Sequence, residues 1–218
     1  MFYGCKNLTE IDPSFFVHKS DLTSAEGMFR NCYKLNDIPD GLFDPLINLT
    51  DVSYMFGRCF KLTSLPKKMF ANCKHIRKVD NMLYGVKMER LPDDLFDGLD
   101  ELESAECAFY WTPLKNIPER LFSNKRNLTN LKGCFASCDH IETIPAGLFD
   151  DCINLQNITN LFAYAGVFGS VRDNNTSSDL FSKCPNITET EDAFTHTNLS
   201  VQKQNEILSN IGSYYKNK

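Results

Sequence analysis

The chain has no surplus of positive charge: 23 lysines and arginines stand against 28 aspartates and glutamates, for a formal charge of −5. That balance offers no general attraction to nucleic acid or to an anionic lipid surface. Long apolar runs are missing as well, and none approaches the roughly eighteen residues of a membrane span. No charged leader precedes Phe2, and no apolar stretch of signal-peptide length follows. Metal-site spacing is absent too, since the nine cysteines include no CxxC pair. Neither a structural metal nor a complete disulfide framework is indicated, and no cofactor is expected. Histidine is scarce. His75 and His140 fall in a solvated column of the pattern below and His18 and His196 in turns, so no convergent nucleophile, base and orienting group is indicated. The chain is not expected to be an enzyme.

What the sequence does have is self-similarity. MFYGCKNLTEI at Met1 returns as MFRNCYKLNDI at Met28 and as MFGRCFKLTSL at Met55, in steps of 27 residues. A weaker copy lies between, as in LFDPLINLTDV from Leu42 and MFANCKHIRKV from Met69. The half-unit anchors are Phe2, Phe16, Phe29, Phe43, Phe56, Phe70, Leu83, Phe96, Phe109, Phe122, Phe135, Phe149, Phe162, Phe181 and Phe194. They take up fourteen of the seventeen phenylalanines. Alternate half-units carry Pro39, Pro66, Pro92, Pro118 and Pro145, so the true repeat is 26 or 27 residues. Proline lacks an amide donor and fixes φ, which marks where an extended segment gives way to a turn.

Each coil reads as a short extended segment, a helical or 3-10 turn, a second extended segment and a second turn, with the extended pieces stacked in parallel. A unit this short cannot bury its apolar positions alone, and neighbouring coils must supply the other wall of the core. The expected fold is an α/β solenoid of about seven coils over residues 1–199, with an irregular insertion at about 163–179. There the anchors Phe162 and Phe181 are nineteen residues apart, and the Gly, Ser and Asn content suits a mobile excursion. Residues 200–218 place Val201, Ile207, Leu208, Ile211, Tyr214 and Tyr215 mostly on one helical face. They read as a C-terminal capping helix. No such cap precedes Met1, so the chain is expected to be part of a longer one, or its first coil to meet another chain end to end.

The motifs MFxxCxxLxxI and IPxxLFxxCxNLT resemble the BspA-like leucine-rich repeats of bacterial surface proteins over residues 1–199, nearly the whole chain. The asparagine ladder of the standard LxLxxN repeat is absent. The resemblance implies a leucine-rich-repeat solenoid at a cell surface or secreted. Adhesion or binding of a protein or glycan, rather than catalysis, is its implied role. A second reading, a structural subunit docking end to end in an assembly such as a phage particle, stays open.

Seven cysteines sit three residues after an anchor, where other coils place Leu46, Val86, Leu99, Thr112 and Ala165. They are expected to be buried free thiols behaving as compact hydrophobes. Cys107 shares its column with Tyr54, Asn81 and Asn160 and is expected to be the accessible thiol. The NLT triplets at Asn7, Asn48 and Asn127 are repeat residues before they are glycosylation sequons. Candidate contact residues come from exposed columns. Tyr3, Tyr84, Tyr110 and Trp111 lie one or two residues after their anchors and could form an aromatic ridge. Basic coils with Arg58, Lys61, Lys67, Lys68, Lys74, Arg77 and Lys78 abut acidic ones with Glu89, Asp93, Asp94, Asp97, Asp100, Glu101, Glu103 and Glu106. This run could orient a partner. Tyr84, Tyr110, Trp111, Asp93, Asp94 and Asp97 are the partner-binding candidates.

Overall fold

The structure, a computed structural model, describes residues 1–216. Its core is two columns of phenylalanine running through a stack of coils. In the first, Phe2 stacks on Phe29 at 5.4 Å and Phe29 on Phe56 at 5.7 Å, with ring planes within 6° of parallel. After Leu83 the column resumes with Phe109, Phe135, Phe162 and Phe194 at 5.3–5.7 Å. The second column holds Phe16, Phe43 and Phe70, then Phe96, Phe122, Phe149 and Phe181. The two columns meet edge to face, as at Phe43 and Phe56 or Phe122 and Phe135, both 6.2 Å apart. Such pairs contribute about 0.5–1.5 kcal/mol beyond the area they bury.

The expected stacked strands are corrected. Among the described residues the parallel contact is one residue wide: bridges join Ser24 to Asp51, Asp51 to Lys78, Lys78 to Ser104, and so on to Glu189. The helical turns are corrected too. The MFxxC half of each coil is two successive β-turns, such as Ala25–Met28 and Phe29–Cys32, each closed by an i+3 N–H to C=O bond. The third residue of each turn has positive φ: Gly27 and Asn31, Tyr54 and Arg58, Asn81 and Gly85, Cys107 and Trp111. The second residue does not, which defines type II geometry.

That geometry explains why the parallel contact stays one residue wide among the described residues. A type II turn sets its middle peptide plane across the turn, so its N–H and C=O point along the stack. Gly27 N–H accordingly donates to Ser53 C=O and Asn31 N–H to Gly57 C=O, middle peptide to middle peptide. Ala25 and Phe29 donate in the same direction, to Asp51 and Met55. Every second backbone amide is paired across the boundary, as a parallel ladder would pair it, while the chain keeps turning.

The opposite side of the coil is joined partly by side chains. The amides of Asn48, Asn127, Asn154 and Asn186 donate back to the carbonyls of Ser20, Asp100, Arg126 and Ile153, at 2.9–3.1 Å. The hydroxyls of Thr50 and Thr129 donate to Thr23 and Glu103 carbonyls. NLT is therefore a stacking motif in which the first and third residues both tie one coil to the one before.

The cysteine slot has its own logic. The thiols of Cys32, Cys59, Cys73, Cys138 and Cys184 donate to the carbonyls of Phe2, Phe29, Phe43, Phe109 and Phe149 in the preceding coil, at 3.0–3.4 Å. In one coil Thr112 substitutes, its hydroxyl donating to Phe109 C=O at 2.6 Å. Another coil places Lys125 there, only 2 % exposed, its ammonium donating to Ser123 C=O at 2.9 Å. Cys5 is exposed, and Cys107 is half-buried rather than open.

The insertion does not bulge freely. It folds back over the preceding coil: Gly166 N–H donates to Cys138 C=O, Phe168 N–H to Asp139 C=O, and the Asn175 amide to Glu142 C=O. A short 3-10 turn, Asp173–Asn175, follows, and Asp173 accepts from Ser200 N–H. Beyond it, one helix becomes two. Helix α1, Val201–Ser209, is capped by Ser200, whose side chain accepts from Lys203 N–H. Helix α2 is Ser213–Lys216. Gly212, at φ 66°, turns the chain between them so that its N–H reaches Phe181 C=O. Ile207 is fully buried, with Leu208 and Ile211 packed beside it, whereas Val201, Tyr214 and Tyr215 are exposed. Asn217 and Lys218, within the stretch expected to be helical, lie outside the described residues.

Candidate functional site

The double-turn side carries the aromatic ridge. In the second turn of a coil, a large residue after the anchor, or at the positive-φ place beside it, reaches the surface, as Tyr3, Tyr110, Trp111 and Tyr164 do. In two adjacent coils the two places hold Tyr84 with Gly85, then Tyr110 with Trp111. Tyr84 lies 5.6 Å from Tyr110 and 6.3 Å from Trp111, ring centre to ring centre. Trp111 rests over Gly85: a Cβ on that glycine would stand 3.0 Å from the indole. The Lys87 ammonium lies 4.7 Å from the indole centre. Trp111 remains 46 % exposed and Tyr110 36 %.

Trp111 holds this place at φ 57°. Glycine or asparagine adopts that conformation at little cost, and Gly4, Asn31 and Gly85 do so at the same point of other coils. A bulky residue there is strained by about 1 kcal/mol or more. The core does not require the ring there; the Trp111 N–H bond to Ala136 C=O in the next coil holds the backbone in place. Tyr3 stands apart at the first coil, 5.9 Å from the Arg30 guanidinium, which itself lies over Tyr54 at 4.3 Å. Tyr33 and Phe60 pair separately at 5.3 Å.

The acidic candidates lie elsewhere. Asp93, Asp94 and Asp97 belong to the proline-containing turn, where with Pro118, Glu119 and Arg120 they line an open depression of about 390 Å³. Asp94 is already engaged, accepting from Lys68 N–H at 3.1 Å. The aromatic and acidic candidates therefore occupy different corners of the coil and do not form one site.

Much of the remaining charge run is neutralised inside the chain. Glu101 accepts from Arg77 at 3.1 Å and faces His75 at 2.9 Å, while Glu89 pairs with Lys115 at 2.6 Å. His75 and Arg77 together hold the Glu101 carboxyl below its usual range. Asp80 is the exception: burial raises its carboxyl, opposed by donors from Ser104 Oγ at 2.6 Å and Glu106 N–H at 2.8 Å.

Sequence reasoning missed Tyr164 and His196, which continue the outward column of Trp111 and stack at 4.4 Å. Counting two residues on from Phe162 and Phe194 would have found them. Among the described residues, no group of three or more His, Cys, Asp or Glu side chains is placed to hold a metal ion. No helix of the described residues is long and apolar enough to cross a membrane.

Comparison with curated proteins gave no match. Among solved structures, the chain is similar to one in the Toll–Spatzle complex, described as a molecular hub in Drosophila development and innate immunity, at 17% identity and a TM-score of 0.40. That likeness covers 88% of this chain and 29% of the other, so the chain spans less than a third of its length. The description "BspA type leucine rich repeat region" matches in six copies, over stretches 1–103, 36–190 and 115–215. Stacked coils, a leucine and phenylalanine core and this coverage agree, and the chain belongs to the BspA-type leucine-rich repeat family.

Proposed function

We propose that the chain is a noncatalytic protein-interaction module that meets its partner through the double-turn side, with Tyr84, Tyr110 and Trp111 at the centre of contact. One observation carries this reading: Trp111 is exposed, on strained backbone, at a point where three other coils use glycine or asparagine. Exposed aromatic side chains whose position the core does not require are the residue type that dominates interface energy. Family membership supports a place at a cell surface or in a secreted chain, and a role in adhesion. Asp93, Asp94 and Asp97, at a separate corner, would act through their field, steering a partner rather than anchoring it.

Selection from a random peptide library against the immobilised chain tests the ridge. Peptides recovered should lose at least tenfold in affinity for Trp111→Ala and Tyr110→Ala, with the thermal midpoint within a few degrees of the parent. Peptides that bind both variants as tightly as the parent would overturn the proposal. Recovery only of ligands from a glycan array, with no peptide retained, would replace a protein partner with a carbohydrate one.

A further inference from the structure

The outward column that carries Trp111 has a missing rung. Trp111 and Tyr164 occupy the same place two coils apart, and the coil between them offers only Ser137, beside Ala136. The gap opens into a cavity of about 250 Å³ lined by Tyr110, which stands one column over from Trp111, by Tyr164, and by Gly133 and Ala136 between them. Its floor is kept bare for a reason of space: a Cβ on Gly133 would stand 2.9 Å from the Cys107 sulfur.

The pitch of the stack sets what fits. The phenylalanine column rises 5.4 Å from Phe109 to Phe135 and 5.3 Å from Phe135 to Phe162. Tyr110 and Tyr164 stand in neighbouring outward columns two coils apart, and two such steps leave room for one flat ring between them. Inside the protein that rung is always filled by a side chain of the middle coil. On the outside it is empty.

Charge narrows the occupant further. Three residues before the anchors of the double-turn side stand Glu26, Ser53, Asp80, Glu106, Lys132, Thr159 and Glu191, so this column is acidic or neutral except at the gap, where it turns basic. Lys132 borders the cavity, exposed, with its ammonium 3.9 Å from Glu106. A cation at the mouth of an apolar slot favours an anion beside the entering ring.

Building on the ridge reading above, we infer that the gap between Tyr110 and Tyr164 receives one aromatic side chain of a protein partner, flanked in that partner by a carboxylate. The inserted ring completes the outer stack, and Lys132 faces the carboxylate.

The test is titration of the ¹⁵N-labelled chain with acetyl-Glu-Tyr-Glu-amide, acetyl-Gln-Tyr-Gln-amide and glucuronic acid. The expected result is saturable shifts of the Gly133, Ala136 and Ser137 amides, at least threefold weaker for the glutamine peptide at low salt. Ala136→Tyr fills the gap and should abolish the shifts. Its fold is checked by the thermal midpoint, since Tyr84 and Tyr110 hold the same column. Lys132→Gln should keep ring binding and erase the preference for glutamate. Absence of saturable shifts, equal shifts in Ala136→Tyr, or no preference for the glutamate peptide would each overturn the inference. Tighter binding of glucuronic acid at the same amides would overturn it in favour of a glycan. If peptide binding survives Ala136→Tyr but is lost in Trp111→Ala, the slot fails and the ridge stands. Binding that survives Tyr110→Ala and Trp111→Ala removes the ridge itself.

Discussion

The thiol of Cys59 donates to the carbonyl oxygen of Phe29 across 3.1 Å, and the two residues belong to successive coils. The same carbonyl already accepts from Cys32 N–H in its own coil. One oxygen thus closes a turn and ties it to the next.

Burial pushes the thiols of Cys59, Cys73, Cys138 and Cys184 from 9.0 up to about 12. Raised values in the folded state mean the fold holds these protons more tightly than the unfolded chain does. The corresponding stability is complete below pH 9 and is lost as pH climbs from 9 towards 12. The urea midpoint should therefore fall steeply above pH 9, and Cys59→Val with Cys73→Val should flatten the decline. A midpoint as pH-sensitive in the double variant as in the parent would rule out this origin.

Lys125 occupies a slot that Leu99 and Cys152 fill in the adjacent coils. Burial lowers its ammonium below the ordinary lysine value, with Asp100, 3.9 Å away, opposing the shift. Removing a desolvated charge relieves the cost of its burial, and the Asp100 carboxylate left behind is 71% exposed and keeps its water. Lys125→Leu is expected to raise the urea midpoint at pH 7, and a lowered midpoint would show that the Ser123 and Asp100 contacts outweigh desolvation.

Asn127 Nδ2 donates to Asp100 C=O at 3.1 Å, so the sequon nitrogen is part of the stack. Asn127→Ala should cost about 1 kcal/mol, the worth of one hydrogen bond. Asn127→Asp, which sets an acceptor against that carbonyl, should cost more. Equal stability of all three chains in urea would show that the contact carries no weight.

Gly85 has φ 68°, and a Cβ there would stand 3.0 Å from Trp111. Gly85→Ala should destabilise by about 1–2 kcal/mol through backbone strain and displace the indole. The emission of the sole tryptophan should shift to the red, with peptide affinity falling alongside. Unchanged emission would place the indole elsewhere.

The columns were legible because a side chain every 26 or 27 residues needs only to be counted, and Phe29, Phe56 and Phe135 fall where the count puts them. The turn geometry was not. Type II turns announce themselves by glycine or asparagine at the third place, and Tyr54, Arg58, Trp111 and Tyr164 stand there instead. Here the bond each flipped peptide makes to the next coil overrides local preference. Lys125 was hidden for a related reason: its charge suggests solvent, and only its distance from Phe122 suggests the core. The acidic and aromatic candidates, close along the chain, lie at separate corners because half a coil intervenes.

The bonds of Gly27, Phe29 and Asn31 to the coil beyond run along the axis of the stack, and this decides how the molecule yields to force. A pull on the two ends loads those bonds one boundary at a time, so the chain peels rather than shears. Each rupture frees about 27 residues, roughly 90 Å of slack, before tension returns. Such a stack absorbs a sudden tug by lengthening step by step while the coils still stacked keep their shape.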